Sequence, residues 1–181
     1  MCMKKCIIGG IVAGVVLFIW SAVSWMLLPW HMTTINKFED ITAVSQIIKA
    51  NAPKSGVYVM PMSDQALQSN QLTDQVPYVF ATVRMESIPE SMTSQFIMTV
   101  IAQIIAAFLV AWMLCKTSGL SFFGRVGFVV IFAIAASFAI DIPNWIWFRV
   151  DSSFTLLGMI DMLVGWFLAG LVLAGICNER A

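Results

Sequence analysis

The sequence predicts a mainly α membrane protein: a four-transmembrane-helix bundle with a small α+β extracytoplasmic insert between helices 1 and 2. Composition is the first reason. The chain is 60% hydrophobic and 11% charged, whereas an ordinary soluble domain is about 45–50% apolar and about 25% charged. The second reason is the length of its apolar runs. Four of them reach the ~20 residues that a helix needs to cross ~30 Å of hydrocarbon, and lipid offers backbone groups no partner outside a helix or a closed barrel. The third is residues 31–95, which are polar enough to lie outside the bilayer.

Helix 1 is expected over Ile7–Leu28, an uncharged run behind Lys4 and Lys5. That run exceeds the ~7–15 apolar residues of a signal peptide, so an uncut spanning helix is expected. Trp25 and Trp30 would anchor its outer end at headgroup level. The chain then divides into residues 1–30, the insert 31–95, and 96–181 with three further spans, about 96–115, 126–148 and 154–177. Inside the insert, Ile41, Val44, Ile47 and Ile48 recur at helical spacing and Pro53 stops that helix. Gly56–Met60 and Tyr78–Arg84 alternate as strands. "SDQALQSNQLTDQ" reads as a loop with a helical turn, and Ser87-Ile88-Pro89-Glu90 as a helix start. A lone hairpin is marginal in water, so the insert is expected to lean on its helix, the bilayer surface or a partner.

Lys4, Lys5, Lys116, Arg125 and Arg180 fall on one side with a single acid, Glu179. The positive-inside rule therefore places both termini in the cytoplasm and the insert in the periplasm. Cys2, Cys6, Cys115 and Cys177 lie near the same, reducing side. The net formal charge is zero and no basic patch exists, which argues against nucleic-acid binding. The expected partners are the lipid bilayer and other membrane-protein subunits or a second copy.

The functional lead is a pair of acids, Asp141 and Asp161, within apolar helices 3 and 4. They lie at equal distances along the chain from Asp151, the centre of the connecting turn, so an antiparallel hairpin puts both roughly 10 Å below the outer boundary. Gly158, Asp161, Gly165 and Ala169 trace one stripe of helix 4, and Ala133, Ser137, Asp141 and Asn144 one stripe of helix 3. Gly10, Gly14, Leu17, Ser21 and Ser24 on helix 1, and Thr99, Gln103, Ala106 and Val110 on helix 2, are the matching small or polar faces. Such faces let helices approach closely in lipid. Gly10-x3-Gly14 also fits a dimerisation pattern.

An acid at the centre of a membrane helix costs about 2.5–3.5 kcal/mol on insertion scales, so each needs a purpose. Three are open: fixing helix packing or the backbone around Pro143, handling a proton or ion, and contacting a partner chain. A proton shared between the two acids, or a bond from Gln103, Ser21 or Asn144, would satisfy them. Arg149 would reach Asp141 only if Pro143 bends the helix end. His31, the only histidine, stands at the outer edge beside Met26, Met32, Met60 and Met62. Thioethers suit copper(I), but methionine is also an ordinary apolar filler. Ser24 and His31 stand two helical turns apart, with nothing in the sequence to orient them. No hydrolase elbow, phosphate loop, dinucleotide fingerprint or HExxH motif occurs. Spacing therefore names no catalytic residue, resident metal set or cofactor.

"GGIVAGVVLFIWSAVSWMLLPWH", "IKANAPKSGVYVMP" and "MIDMLVGWFLAGLVLAG" resemble a family of small, uncharacterised bacterial integral membrane proteins. The resemblance implies a bacterial inner-membrane protein with this four-helix layout. It brings no activity and no catalytic residues; Asp161 falls in the third piece. Together these observations favour a non-catalytic accessory or scaffold subunit of a larger inner-membrane complex. The alternatives are a small proton- or ion-coupled carrier or channel using Asp141 and Asp161, and a metal or lipid binder centred on His31.

Overall fold

The computed structural model describes residues 2–61, 77–86 and 91–177. The chain folds as two compact units, residues 1–36 with 91–181, and residues 37–90. The segment after helix 1, through Asn36, thus belongs with the helices.

In the larger unit, α1 spans Cys2–Met26 and is followed by a 3-10 turn over Pro29–Thr33. The other long helices are α3 (Thr93–Leu114), α4 (Phe122–Trp147) and α5 (Ser152–Ile176). All four are long and apolar enough to cross a membrane, which makes this a multi-pass membrane protein. Their starts are written locally. Ser121 Oγ accepts the Gly124 N–H at 3.1 Å and Asp151 Oδ1 accepts the Phe154 N–H at 2.9 Å, filling donors that a helix start leaves open. The turn between α4 and α5 passes through Arg149 at φ 51°, and Trp145 Nε1 donates to Ser152 Oγ across it. Helix α4 continues through Pro143.

Helix α1 is central. It packs along α3 and α5, α4 packs along α5, and α3 and α4 share only a small contact. Its buried positions, Cys6, Gly9, Gly10, Ala13, Gly14, Leu17 and Ser24, follow the three-and-four spacing of one helix face. Glycine sets how close α3 comes. A Cβ on Gly14 would lie 2.5 Å from the Cα of Ile104, and one on Gly10 would lie 2.7 Å from the Cα of Phe108. The Gly10-x3-Gly14 pattern is therefore occupied within the chain. Gly165 is filled by Trp20, whose Cδ1 would be 2.9 Å from an added Cβ, and Ala169 is fully buried. Gly158, expected on the same packing stripe, faces open space.

The fully packed core lies toward one end. Cys6 and Ala13 of α1, Val110 and Leu114 of α3, Val129 of α4 and Leu173 of α5 meet there. Cys6 Sγ points at the Ala111 carbonyl at 3.7 Å, Cys177 is buried and Cys115 is half-buried. Thr99, expected on the inner face of α3, is exposed, because its hydroxyl donates to the Gln95 carbonyl one turn back at 2.7 Å. A helical threonine satisfied this way needs no partner helix.

The smaller unit contains α2 (Ile41–Asn51) and two antiparallel strands, β1 (Gly56–Met60) and β2 (Val79–Val83), with Gly56 opposite Val83 and Met60 opposite Val79. Asp40 caps α2 by accepting the Ala43 N–H at 2.9 Å. Helix and hairpin line a groove of about 360 Å³ that includes Phe38, Ile41, Val44 and Val83. The expected loop and helical turn of "SDQALQSNQLTDQ" and the helix start at 87–90 lie outside the described residues.

Ser55 clips the strand ends: its hydroxyl donates to Glu86 Oε2 and accepts the Met85 N–H, both at 3.0 Å. Glu86's own backbone N–H, that serine and Arg84 hold its carboxyl below the ordinary 4.5. A carboxyl depressed in the folded state adds stability above its unfolded value and loses it as pH falls through the folded one. Protection of the Met85 amide from hydrogen exchange is therefore expected to weaken below about pH 4.5. Glu86→Gln should remove that pH dependence. Identical profiles for the variant and the parent would contradict this.

Candidate functional site

The two acids have different neighbours. Asp141 Oδ2 accepts the Ser137 hydroxyl at 2.5 Å, one turn back on α4. It lines a small cavity of about 160 Å³ with Asn144, Val150 and Gly158. Asp161 turns toward α1 instead. Its Oδ1 accepts the Trp20 indole N–H at 2.8 Å, and its backbone carbonyl takes the same donor at 3.0 Å. Its Oδ2 lies 3.5 Å from His31 Nε2. Matched depth along the chain does not fix azimuth: α4 keeps its acid on a bond within the helix, while α5 directs its own at another helix. A shared proton is one of the ways open to satisfy the acids; here Asp141 is bonded by Ser137, and Asp161 by Trp20 with His31 beside it. Arg149 sits exposed in the α4–α5 turn.

His31 reaches Asp161 because the chain reverses after α1. Pro29 opens the 3-10 turn and its fixed φ suits a first turn position. The reversal lays the imidazole against α1, where it is 2% exposed. Trp25 stacks on it with centroids 3.8 Å apart and planes 6° from parallel, and Trp30 meets it edge-on at 5.7 Å. Ser24 Oγ bonds His31 Nε2 at 2.9 Å. Trp30 Nε1 donates to the Ser24 hydroxyl at 3.0 Å and its carbonyl at 3.2 Å.

The pair that spacing alone left unoriented is therefore oriented, by two tryptophans and a turn. Sequence reasoning missed Trp20 entirely. Its signal was an indole N–H on the buried stripe of α1, three residues after Leu17; such a donor needs an acceptor in apolar surroundings.

Ser24, His31 and Asp161 have the residue types of a nucleophilic triad but not its geometry. A triad places serine and acid on opposite ring nitrogens. Here both approach Nε2, and Ser24 is fully buried. What the arrangement can do is place a proton. An indole only donates, so Ser24 Oγ is an acceptor toward Trp30 and keeps its own proton for another atom. Either that hydroxyl donates to Nε2, or Nε2 carries hydrogen and donates toward Ser24 with Asp161 close by.

Asp161 also borders a cavity of about 340 Å³. Leu17, Trp20 and Ser21 of α1 form one side of it, Gln103 and Ala106 of α3 a second, and Met162, Gly165 and Trp166 of α5 a third. Gln103 Oε1 is buried and has no hydrogen-bond donor among the described residues. No group of three His, Cys, Asp or Glu side chains that could hold a metal forms among them either. Met26 and Met32 are exposed, and Met62 lies outside the described residues. In comparisons with protein-family models, curated proteins and solved structures, nothing matches this chain.

Proposed function

We propose that this is a non-catalytic protein of the bacterial inner membrane that takes a proton or a cation into its helix bundle at Asp161. Both termini would face the cytoplasm and the insert the periplasm, as the distribution of Lys4, Lys5, Lys116 and Arg125 favours. The observation that carries the function is the setting of Asp161. Its carboxylate borders a cavity on one side and meets the Trp20 indole and the buried His31 on the other. An acid kept at such cost inside a membrane is a functional candidate by default. Asp141, with its own serine and its smaller cavity, would be a secondary station.

Reconstituted into liposomes under a pH gradient, the protein is expected to pass protons, and Asp161→Asn to abolish that flux. A flux unchanged in the variant would remove Asp161 from the function.

The insert favours a second role, as an accessory or scaffold subunit. Phe38 and Ile41, 70% and 71% exposed, border the groove between α2 and β2, and apolar side chains gathered on a surface mark interaction sites. Purification in mild detergent is expected to retain a stoichiometric partner subunit. Consistent isolation of a lone monomer would count against this role.

A further inference from the structure

We infer that the cavity bordered by α1, α3 and α5 binds a lipophilic ammonium ion, an apolar body carrying at least one N–H. This rests on the proposal that Asp161 takes a cation and names the class of cation.

Shape comes first. Helices α3 and α5 both pack along α1 rather than extensively on each other, which leaves a cleft with α1 as its floor. Its volume of about 340 Å³ falls in the range of roughly 300–1,000 Å³ typical of small-molecule pockets.

The polar groups then select the ligand. Trp20 occupies one lone-pair direction of Asp161 Oδ1, and His31 faces Oδ2. A carboxylate accepts about four hydrogen bonds, so acceptor capacity remains. Gln103 supplies a second acceptor, its buried Oε1, which has no donor among the described residues. Among those residues no lysine or arginine lines the cavity. A ligand bearing a carboxylate or phosphate would find neutral donors at Ser21 and the Gln103 amide but no cation to set against Asp161. A ligand bearing a charged N–H would give Gln103 Oε1 a donor and use the remaining acceptor capacity of Asp161, through charge-assisted bonds.

The remaining walls select the body. Leu17, Ala106 and Met162 are apolar. Trp166 is steadied by edge-to-face contact with Phe132, centroids 6.3 Å apart, and an indole face attracts a cation. A bare metal ion fits poorly, because hard cations such as calcium take 6–8 oxygen ligands, and one carboxylate and one amide oxygen fall far short.

The probe is 1-naphthylmethylamine, a cation at neutral pH, with 1-naphthalenemethanol as its uncharged counterpart. Each is measured by equilibrium dialysis against the full chain in lipid nanodiscs, with empty nanodiscs subtracted. Saturable, equimolar binding of the amine is expected, at least about tenfold tighter than the alcohol, as a charge-assisted bond implies. Ala106→Phe, which fills the cavity without touching Asp161, and Gln103→Leu should each weaken amine binding about tenfold or more. Asp161→Asn should do the same, and the other two variants decide the matter if that protein misfolds. Equal affinity for amine and alcohol, or parental binding in Ala106→Phe, would overturn the site. Amine binding without proton flux would uphold the site and overturn flux alone. Proton flux without amine binding would overturn the ammonium site alone.

Discussion

Gly14→Val is expected to lower the stability of the bundle by about 3 kcal/mol or more. Overpacking a well-filled core commonly costs about 1–3 kcal/mol, taken up by displaced side chains and small backbone shifts. Here the neighbour is backbone. An added Cβ would stand 2.5 Å from the Cα and 2.8 Å from the N of Ile104, and neither can rotate away. The helices must separate, which strips contacts from Ala13 and Ala107, both fully buried. For a chain of this size the loss corresponds to a melting temperature roughly 6–12 °C lower, read in detergent by circular dichroism. Gly158→Ala is the matched control: its Cβ meets nothing within 4 Å, and alanine favours a helix over glycine by about 1 kcal/mol. A Gly14→Val protein that melts like the parent would show that α1 and α3 need not approach so closely.

Asp161→Ala should have the next largest effect, about 3 kcal/mol. The substitution takes the carboxylate away from the Trp20 indole N–H and from the His31 imidazole, which keeps only its bond to Ser24 Oγ, and a hydrogen bond to a charged group is worth about 1.5–3 kcal/mol. Trp20 retains the Asp161 main-chain carbonyl at 3.0 Å, which holds the total below the upper limit. Asp161→Asn keeps an amide oxygen for Trp20 and should lose about half as much. Because His31 is the only histidine and is buried, its modification by diethylpyrocarbonate reports the same event. It should be slow in the parent and fast in Asp161→Ala. Unchanged melting together with an unreactive histidine would mean that Asp161 does not hold the turn in place.

Much of this fold was legible because lipid simplifies the rules. Long apolar runs, broken only at Asp141, Pro143, Asn144 and Asp161, named the four long helices, and their ends moved by five residues at most, with Ser121 and Asp151 capping α4 and α5. Pro53 bounded α2, and Val57, Tyr58 and Val59 announced β1. Legibility ended where rotation about a helix axis decides the contact. Counting from the turn gave Asp141 and Asp161 similar depth but could not say that one would bond Ser137 and the other Trp20 and His31. Polarity misplaced Thr99 for a related reason: its hydroxyl is content with its own helix. The Ser24–His31 bond depends on a reversal at Pro29, and a proline announces that a helix ends without saying where the chain goes next.

The concentration of tight packing around Cys6, Leu114 and Leu173 has a mechanical consequence. A set of rods clamped at one extremity behaves like tongs: the clamp is a fulcrum, and displacement grows with leverage away from it. Gln103 stands about 10 Å along α3 from Val110, and Asp161 about 12 Å along α5 from Ala169. Thermal breathing of this molecule is therefore expected to be smallest among its alanines and glycines and wider at the jaws, where Asp161 and Gln103 border one cavity.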